Sequence, residues 1–289
     1  MAHSELATPS ATVALLRRHG LWTKKSLGQH FLVDDNIVGR IITLAALTGS
    51  EHVLEVGPGI GTLTLALCAA AGHVTAVEQD GRLISILGEM AERCGNLQVA
   101  HGDALQVTEE DFTGPAGLPT ALVANLPYAV AATLVLRFFE ILPSLTSATV
   151  MVQAEVADRM TAVPGTKQYG SYTVKLALRA RSAGRFPVAP TCFLPPPRVD
   201  SAVLRLERLD EATAPQNEIV RAARAADAAF AQRRKTLRNS LSSALAAPPT
   251  AIEAALVAAG IDPGVRAETL PPEAFLGMGA ELHEHGLLP

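Results

Sequence analysis

The sequence predicts an α/β fold: a parallel sheet wrapped by helices, followed by a small helical domain. Three observations carry this expectation. Short apolar runs alternate with helical stretches from about residue 52 to 153, the pattern of βαβ units with right-handed crossovers. The first run of that series ends in a glycine cluster, Gly57-Pro58-Gly59-Ile60-Gly61. Beyond the polar stretch Leu209–Asn217, which contains Pro215 and reads as a linker, the pattern is helical only. The expected domains are 1–208 and 217–289 of the 289-residue chain.

The elements follow in order. Asp34 and Asp35 precede Ile37, Ile41, Leu44 and Thr48, a helical spacing with acids suited to the N-cap. His52–Val56 reads as a strand, Thr62–Ala71 as a helix, His73–Glu78 as a strand and Arg82–Arg93 as a helix. Leu97–His101 is a strand, then a loop rich in Gly and Pro leads to a strand at Ala121–Asn125. A helix at Ala131–Ile141 and a strand at Ala148–Gln153 close the series. After Gly184, Pro187, Pro190 and Pro195–Pro197 exclude helix and impose extended chain. Val199–Leu206 alternates as an edge-type strand. Val220, Phe230, Leu237, Leu241 and Leu245 mark one apolar helical face, with Lys235 and Arg238 off it. The alanines of 221–256 read as ordinary helix composition.

Composition excludes several classes. With 48% hydrophobic and 18% charged residues the chain is not disordered. No apolar run reaches the ~18–20 residues of a membrane span. The first twenty residues lack a basic segment ahead of an apolar one, so no secretory signal is expected. Cys68, Cys94 and Cys192 form no CxxC pair, which argues against a disulfide framework or a metal site and for a reducing cytoplasm. The net charge is −4, yet residues 159–238 carry +9 and the remainder −13. Such a block is either a solvated surface or an electrostatic footprint for a polyanion.

The glycine cluster lies between a strand and a helix, where open α/β sheets bind ligands. Its spacing is GxGxG. It is neither the GxGxxG of dinucleotide enzymes nor the GxxxxGK[ST] of phosphate loops. Glu78 ends the next strand, twenty-one residues after Gly57, and is placed to accept from ribose hydroxyls. Asp103 follows the third strand and could accept from an adenine amine. A glycine loop and two acids on successive strand ends suit S-adenosyl-L-methionine better than a dinucleotide. The competing explanation is a bare turn with two N-capping acids.

Asn125-Leu126-Pro127-Tyr128 follows the fourth strand. The amino group of adenine is a poor nucleophile because its lone pair is delocalised into the ring. Acceptors on both N–H bonds pull the nitrogen towards sp³ geometry. The Asn125 side-chain oxygen and a carbonyl at Leu126 or Pro127 are the candidate acceptors, and Pro127 stiffens the turn. Tyr128 offers a stacking face to an extruded base. No strong general base is required. Phe193 is a second candidate ring, with a core position beneath the proline turn as the alternative.

These residues resemble the family of rRNA adenine N6-dimethyltransferases that act on small-subunit rRNA. The resemblance is carried by Lys24–Leu32, Leu54–Thr64, Asn125–Tyr128, Phe193–Val203 and Arg233–Leu241, in that order. It implies a Rossmann-like class I S-adenosylmethionine-dependent methyltransferase with a small helical C-terminal domain. It implies cofactor contacts at His30, Leu32, Gly57, Gly59, Glu78, Asp103 and Asn125, and a catalytic group of Asn125, Leu126, Pro127, Tyr128 and Phe193. It also implies two methyl transfers to each of two adjacent adenosines in the 3′-terminal hairpin, late in small-subunit assembly. The expected partner is small-subunit rRNA in a pre-ribosomal particle, contacted by Arg198, Arg233, Arg234, Lys235 and Arg238. No membrane is involved and the chain is expected to be a monomer. Two positions depart from the family pattern: His30 stands where Asn is common, and Ala129-Val130-Ala131 follows Tyr128 where a polar residue is common. The relatives that methylate large-subunit rRNA and confer macrolide resistance share the chemistry, but Arg233–Leu241 and the proline motif look like the small-subunit branch. An assembly factor with dispensable catalysis, a DNA or small-molecule methyltransferase and a nicotinamide oxidoreductase are the weaker alternatives.

Overall fold

The computed structural model describes residues 4–21, 30–112, 116–210 and 214–289. The chain packs as two compact units, 1–157 with 182–208, and 158–181 with 209–289. The motif segment Lys24–Gln29 lies outside the described residues.

The first unit begins with α1 (Pro9–Arg18), β1 (Phe31–Leu32) and α2 (Asp35–Ala45). Asp34 caps α2, its carboxylate accepting from the amides of Asn36 at 3.0 Å and Ile37 at 3.2 Å. The helix stops at Ala46, so Thr48 lies beyond it. The alternating series follows as β2 (His52–Val56), α3 (Thr62–Ala70), β3 (His73–Glu78), α4 (Ile84–Cys94), β4 (Leu97–His101), β5 (Ala121–Asn125), α5 (Ala131–Ile141) and β6 (Ser147–Gln153). After β6 come α6 (Ala154–Met160) and α7 (Ser171–Ala177), then β7 (Ala180–Val188), β8 (Phe193–Leu194) and β9 (Ser201–Arg208).

The large sheet has the order β4-β3-β2-β5-β6-β9-β7. Its β2–β3, β3–β4, β2–β5 and β5–β6 pairs are parallel, and β9 runs antiparallel to β6. The chain winds outward from β2 to β4, then returns to the other side of β2 with β5. The C-terminal ends of β2 and β5 are therefore the topological switch point, where such sheets open a crevice. β1 and β8 form a separate antiparallel pair, Phe31 opposite Leu194 and Leu32 opposite Phe193.

β9 corrects the edge-strand expectation: it is interior, covered by β7. Its outward polar positions serve the fold instead of solvent. Arg205 donates to the carbonyl of Leu44 at 3.0 Å and to that of Ala45, at the C-terminus of α2. Arg208 donates to Leu145 O at 2.6 Å, Leu142 O at 2.8 Å and Phe139 O at 3.0 Å, at the C-terminus of α5. Cations there satisfy the last carbonyls and oppose the helix dipole.

The second unit holds α7, α8 (Gln216–Phe230), α9 (Leu237–Leu245), α10 (Pro249–Ala258) and α11 (Ala274–Glu284). It includes residues 158–181, which the sequence places in the first domain. The physical reason is apolar: Tyr169, Val174 and Leu178 bury in one cluster with Leu237, Leu241 and Phe275. α8 starts inside the expected linker and buries its alanines, while Val220 is 36% exposed. Those alanines allow close helix packing. A Cβ added at Gly279 of α11 would lie 2.7 Å from the Ala222 nitrogen.

Candidate active site

The site is built on the rim where β2, β3, β4 and β5 end. Gly57, Gly59 and Gly61 all have positive φ (68°, 62° and 84°), which only glycine adopts freely. The turn is also crowded. A Cβ on Gly57 would lie 3.3 Å from the Pro127 ring, and one on Gly59 would lie 3.3 Å from Phe31. One on Gly61 would collide with Met90. Glycine is thus needed here both for conformation and for close approach. The Gly57–Pro127 proximity also brings the glycine loop against the tetrapeptide.

Glu78 braces that loop. One carboxylate oxygen accepts from the Gly59 amide at 3.0 Å and the other from the Asp80 amide at 2.8 Å. Burial raises its pKa, partly offset by those two hydrogen bonds. Asp103 accepts from the Leu105 amide at 2.9 Å, an Asx turn at the end of β4.

The tetrapeptide leaves β5 beside β6, with the Leu126 amide donating to Met151 O at 3.1 Å. Pro127 O accepts from Val130 N at 3.1 Å, which closes the turn into α5. The Tyr128 hydroxyl lies 2.6 Å from Ser201 Oγ. Burial raises the Tyr128 pKa, so the phenol keeps its proton at neutral pH. The Tyr128 ring stacks on His30 with centroids 6.0 Å apart, and His30 Nδ1 lies 2.7 Å from Pro195 O.

One cavity of about 490 Å³ is lined by His30, Leu32, Gly57, Gly59, Glu78, Asp103 and all of Asn125–Tyr128. Phe193 is not among its lining residues. It is 2% exposed and packs in the core with Leu32 and Phe186, the alternative left open for it.

Sequence reasoning missed Glu55. It lies in the middle of the buried run of β2, where a carboxyl is out of place, and that misfit was the available signal. Glu55 is 1% exposed, lines the cavity, and has an Oε2 with no hydrogen-bond partner among the described residues. Burial pushes its pKa up to about 8, opposed by the Thr64 hydroxyl and helped, less strongly, by the neighbouring Glu78 charge.

The basic residues sort into two groups. Arg198, Arg233, Arg234, Lys235 and Arg238 are all exposed. Arg233 also donates to Lys167 O at 2.7 Å, and Arg238 lies 3.3 Å from Glu253. Others in the 159–238 block serve the fold: Arg205 and Arg208 as above, Arg179 at 4% exposure, and Lys175 at 2.9 Å from Asp227. The +9 of the block therefore overstates the charge available to a partner.

Sheet order, glycine loop, rim acids and tetrapeptide together define a Rossmann-like class I methyltransferase. A family model, ribosomal RNA adenine dimethylase, matches residues 21–284, and the chain belongs to that family. The chain is 46% identical over 285 residues to a ribosomal RNA small subunit methyltransferase A of Nocardia farcinica, covering 96% of this chain and 95% of that protein. It is 43% identical over 279 residues to that of Listeria monocytogenes serotype 4b, covering 94% of each. Among solved structures, a dimethyladenosine transferase from Plasmodium falciparum matches with TM-score 0.73 at 25% identity, covering 90% of this chain and 99% of that one. The 23S rRNA methyltransferase ErmE matches with TM-score 0.66 at 28% identity, covering 88% and 99%.

Proposed function

We propose that this chain transfers methyl groups from S-adenosyl-L-methionine to the N6 atoms of two adjacent adenosines in the 3′-terminal hairpin of small-subunit rRNA. Each adenosine receives two methyl groups. The substrate is a pre-ribosomal particle late in assembly, and the enzyme works as a cytoplasmic monomer. Among the described residues no helix is long and apolar enough to cross a membrane. The observation that carries the proposal is the shared cavity: the glycine loop and the tetrapeptide line the same space, with Pro127 close enough to Gly57 that a Cβ there would meet its ring.

The residues fit the cofactor. A cavity of about 490 Å³ is in the usual range for a small-molecule site. Glu78 can accept from ribose hydroxyls and Asp103 from an adenine amine, while Gly57 and Gly59 admit close backbone approach. When bound, the cofactor supplies a methyl group activated by its sulfonium. Asn125 Oδ1 accepts one hydrogen of the target amine. The Leu126 or Pro127 carbonyl accepts the other; Pro127 O already takes one bond, from Val130 N, and has a second lone pair. Tyr128 packs against the base. Its protonated phenol suits stacking, and a base is not required of it. Holding amine and methyl in line supplies much of the acceleration. Exposed Arg198, Arg233, Arg234, Lys235 and Arg238 supply phosphate contacts.

The large-subunit reading has less support. The relatives at 43–46% identity carry a small-subunit name, and ErmE stands at 28%. Labelled methyl incorporation into unmethylated small and large subunits tests the choice. The proposal expects N6,N6-dimethyladenosine in the small-subunit RNA, lost with Glu78→Ala. Label confined to large subunits would refute it.

A further inference from the structure

Tyr128 is held from two directions by residues far away in sequence. Its hydroxyl meets Ser201 Oγ at 2.6 Å, and Ser201 is fully buried at the first position of β9. Its ring stacks on His30, with planes 24° apart. His30 is tied by Nδ1 to the carbonyl of Pro195, in the loop that feeds β9. The sheet topology explains how Ser201 reaches this place. β5 and β6 are parallel and end at the rim, whereas β9 is antiparallel and so begins there. Ser201 pairs with Gln153, and Asp200 O accepts from Ala154 N at 2.9 Å, which locks the start of β9 to the end of β6. A tyrosine on a short turn otherwise keeps χ1 and χ2 freedom. Here the hydroxyl fixes the tip of the ring and His30 covers one face.

We infer that Ser201 is a positioning residue, which through the Tyr128 hydroxyl, with His30 behind the ring, sets the aromatic wall that holds the target adenine at Asn125. This deepens the proposed reaction and rests on it. The Tyr128 hydroxyl then acts only through Ser201, so the two groups form one unit.

The test is steady-state methyl transfer to unmethylated small subunits by the wild type and by Ser201→Ala, Tyr128→Phe, the double variant and Ser201→Thr. S-adenosyl-L-methionine affinity is measured alongside by calorimetry. Expected are kcat losses of roughly tenfold for Ser201→Ala and Tyr128→Phe alike, because small misplacements in a reacting pair cost rate steeply. The double variant should lose no more than either single one, as for groups acting together. Cofactor affinity should stay within about twofold of wild type, and Ser201→Thr, which keeps the hydroxyl, should recover most of the rate. Full turnover by Tyr128→Phe, or losses that add in the double variant, would overturn the inference. So would a fall in cofactor affinity that matches the fall in rate. An inactive wild type would instead refute the reaction itself, and the inference with it.

Discussion

The rim of the sheet and the basic segment of the helical unit both carry residues assigned to the substrate, but they hold them differently. On the rim the residues sit at or just beyond strand ends, and several are held there by single, directed contacts. Pro127 leaves no room for a Cβ at Gly57 to sit freely, Glu78 grips the Gly59 amide, and the Leu126 amide bonds Met151 O. In the helical unit Arg233, Arg234 and Lys235 occupy an exposed turn between α8 and α9. Long exposed cationic side chains there act on phosphates mainly through charge. The rim should therefore break at single atoms and the basic turn should weaken by degrees.

The sharpest contrast is expected at Asn125. Asn125→Ala should reduce methyl transfer by roughly 10²–10³-fold, the scale of losing one preorganised polar group at a reacting centre. Cofactor affinity should fall much less. Equal losses in both would make Asn125 a cofactor ligand only.

Next in size is Gly61→Ala. It forces an L residue to φ 84° and drives a methyl group into Met90. Urea unfolding should show a loss of about 1 kcal/mol or more, chiefly from the backbone, because the flexible tip of Met90 can move aside. A neutral result would mean that the turn relaxes away from φ 84°.

Glu55 gives a pH-dependent effect. Its folded pKa, about 8, lies above the ordinary 4.5, so the folded state keeps a proton that the unfolded state releases. This contribution is complete below pH 4.5 and is lost as pH rises towards 8. Glu55→Gln should remove that loss, so its melting temperature relative to wild type should rise between about pH 5 and 8. A constant difference would show that Glu55 is ionised when folded.

The smallest effects belong to the basic turn. Arg234→Ala or Lys235→Ala should lower the salt slope of RNA binding by about one each, with turnover at saturation nearly unchanged. Arg233→Ala should also cost some stability, because its guanidinium holds Lys167 O. An unchanged slope in the first two would place the RNA elsewhere.

The contrast also explains what was readable in the sequence. β2, β3, β5 and β6 are buried on both faces, so each appears as an apolar run with sharp ends. The rim residues Gly57, Gly59, Glu78, Asp103 and Asn125–Tyr128 lie at or just beyond strand ends and were readable with them, whereas His30 and Leu32 came from the family resemblance. β7 was not readable as a strand, since exposed Arg181, Ser182, Ala183 and Arg185 leave it no alternation. Without β7, β9 looks like an edge. Charge counting cannot separate Arg208, spent on three carbonyls, from exposed Arg234. The Tyr128–Ser201 bond spans 73 residues and follows from strand direction, which no local pattern reports.

The most direct test is a crystal structure with S-adenosylhomocysteine, the methyl-free product. The account predicts ribose hydroxyls on Glu78, the adenine amine at Asp103, and the sulfur facing Asn125 across the cavity. Density for the ligand away from Gly57, or a sulfur cut off from Asn125, would contradict it.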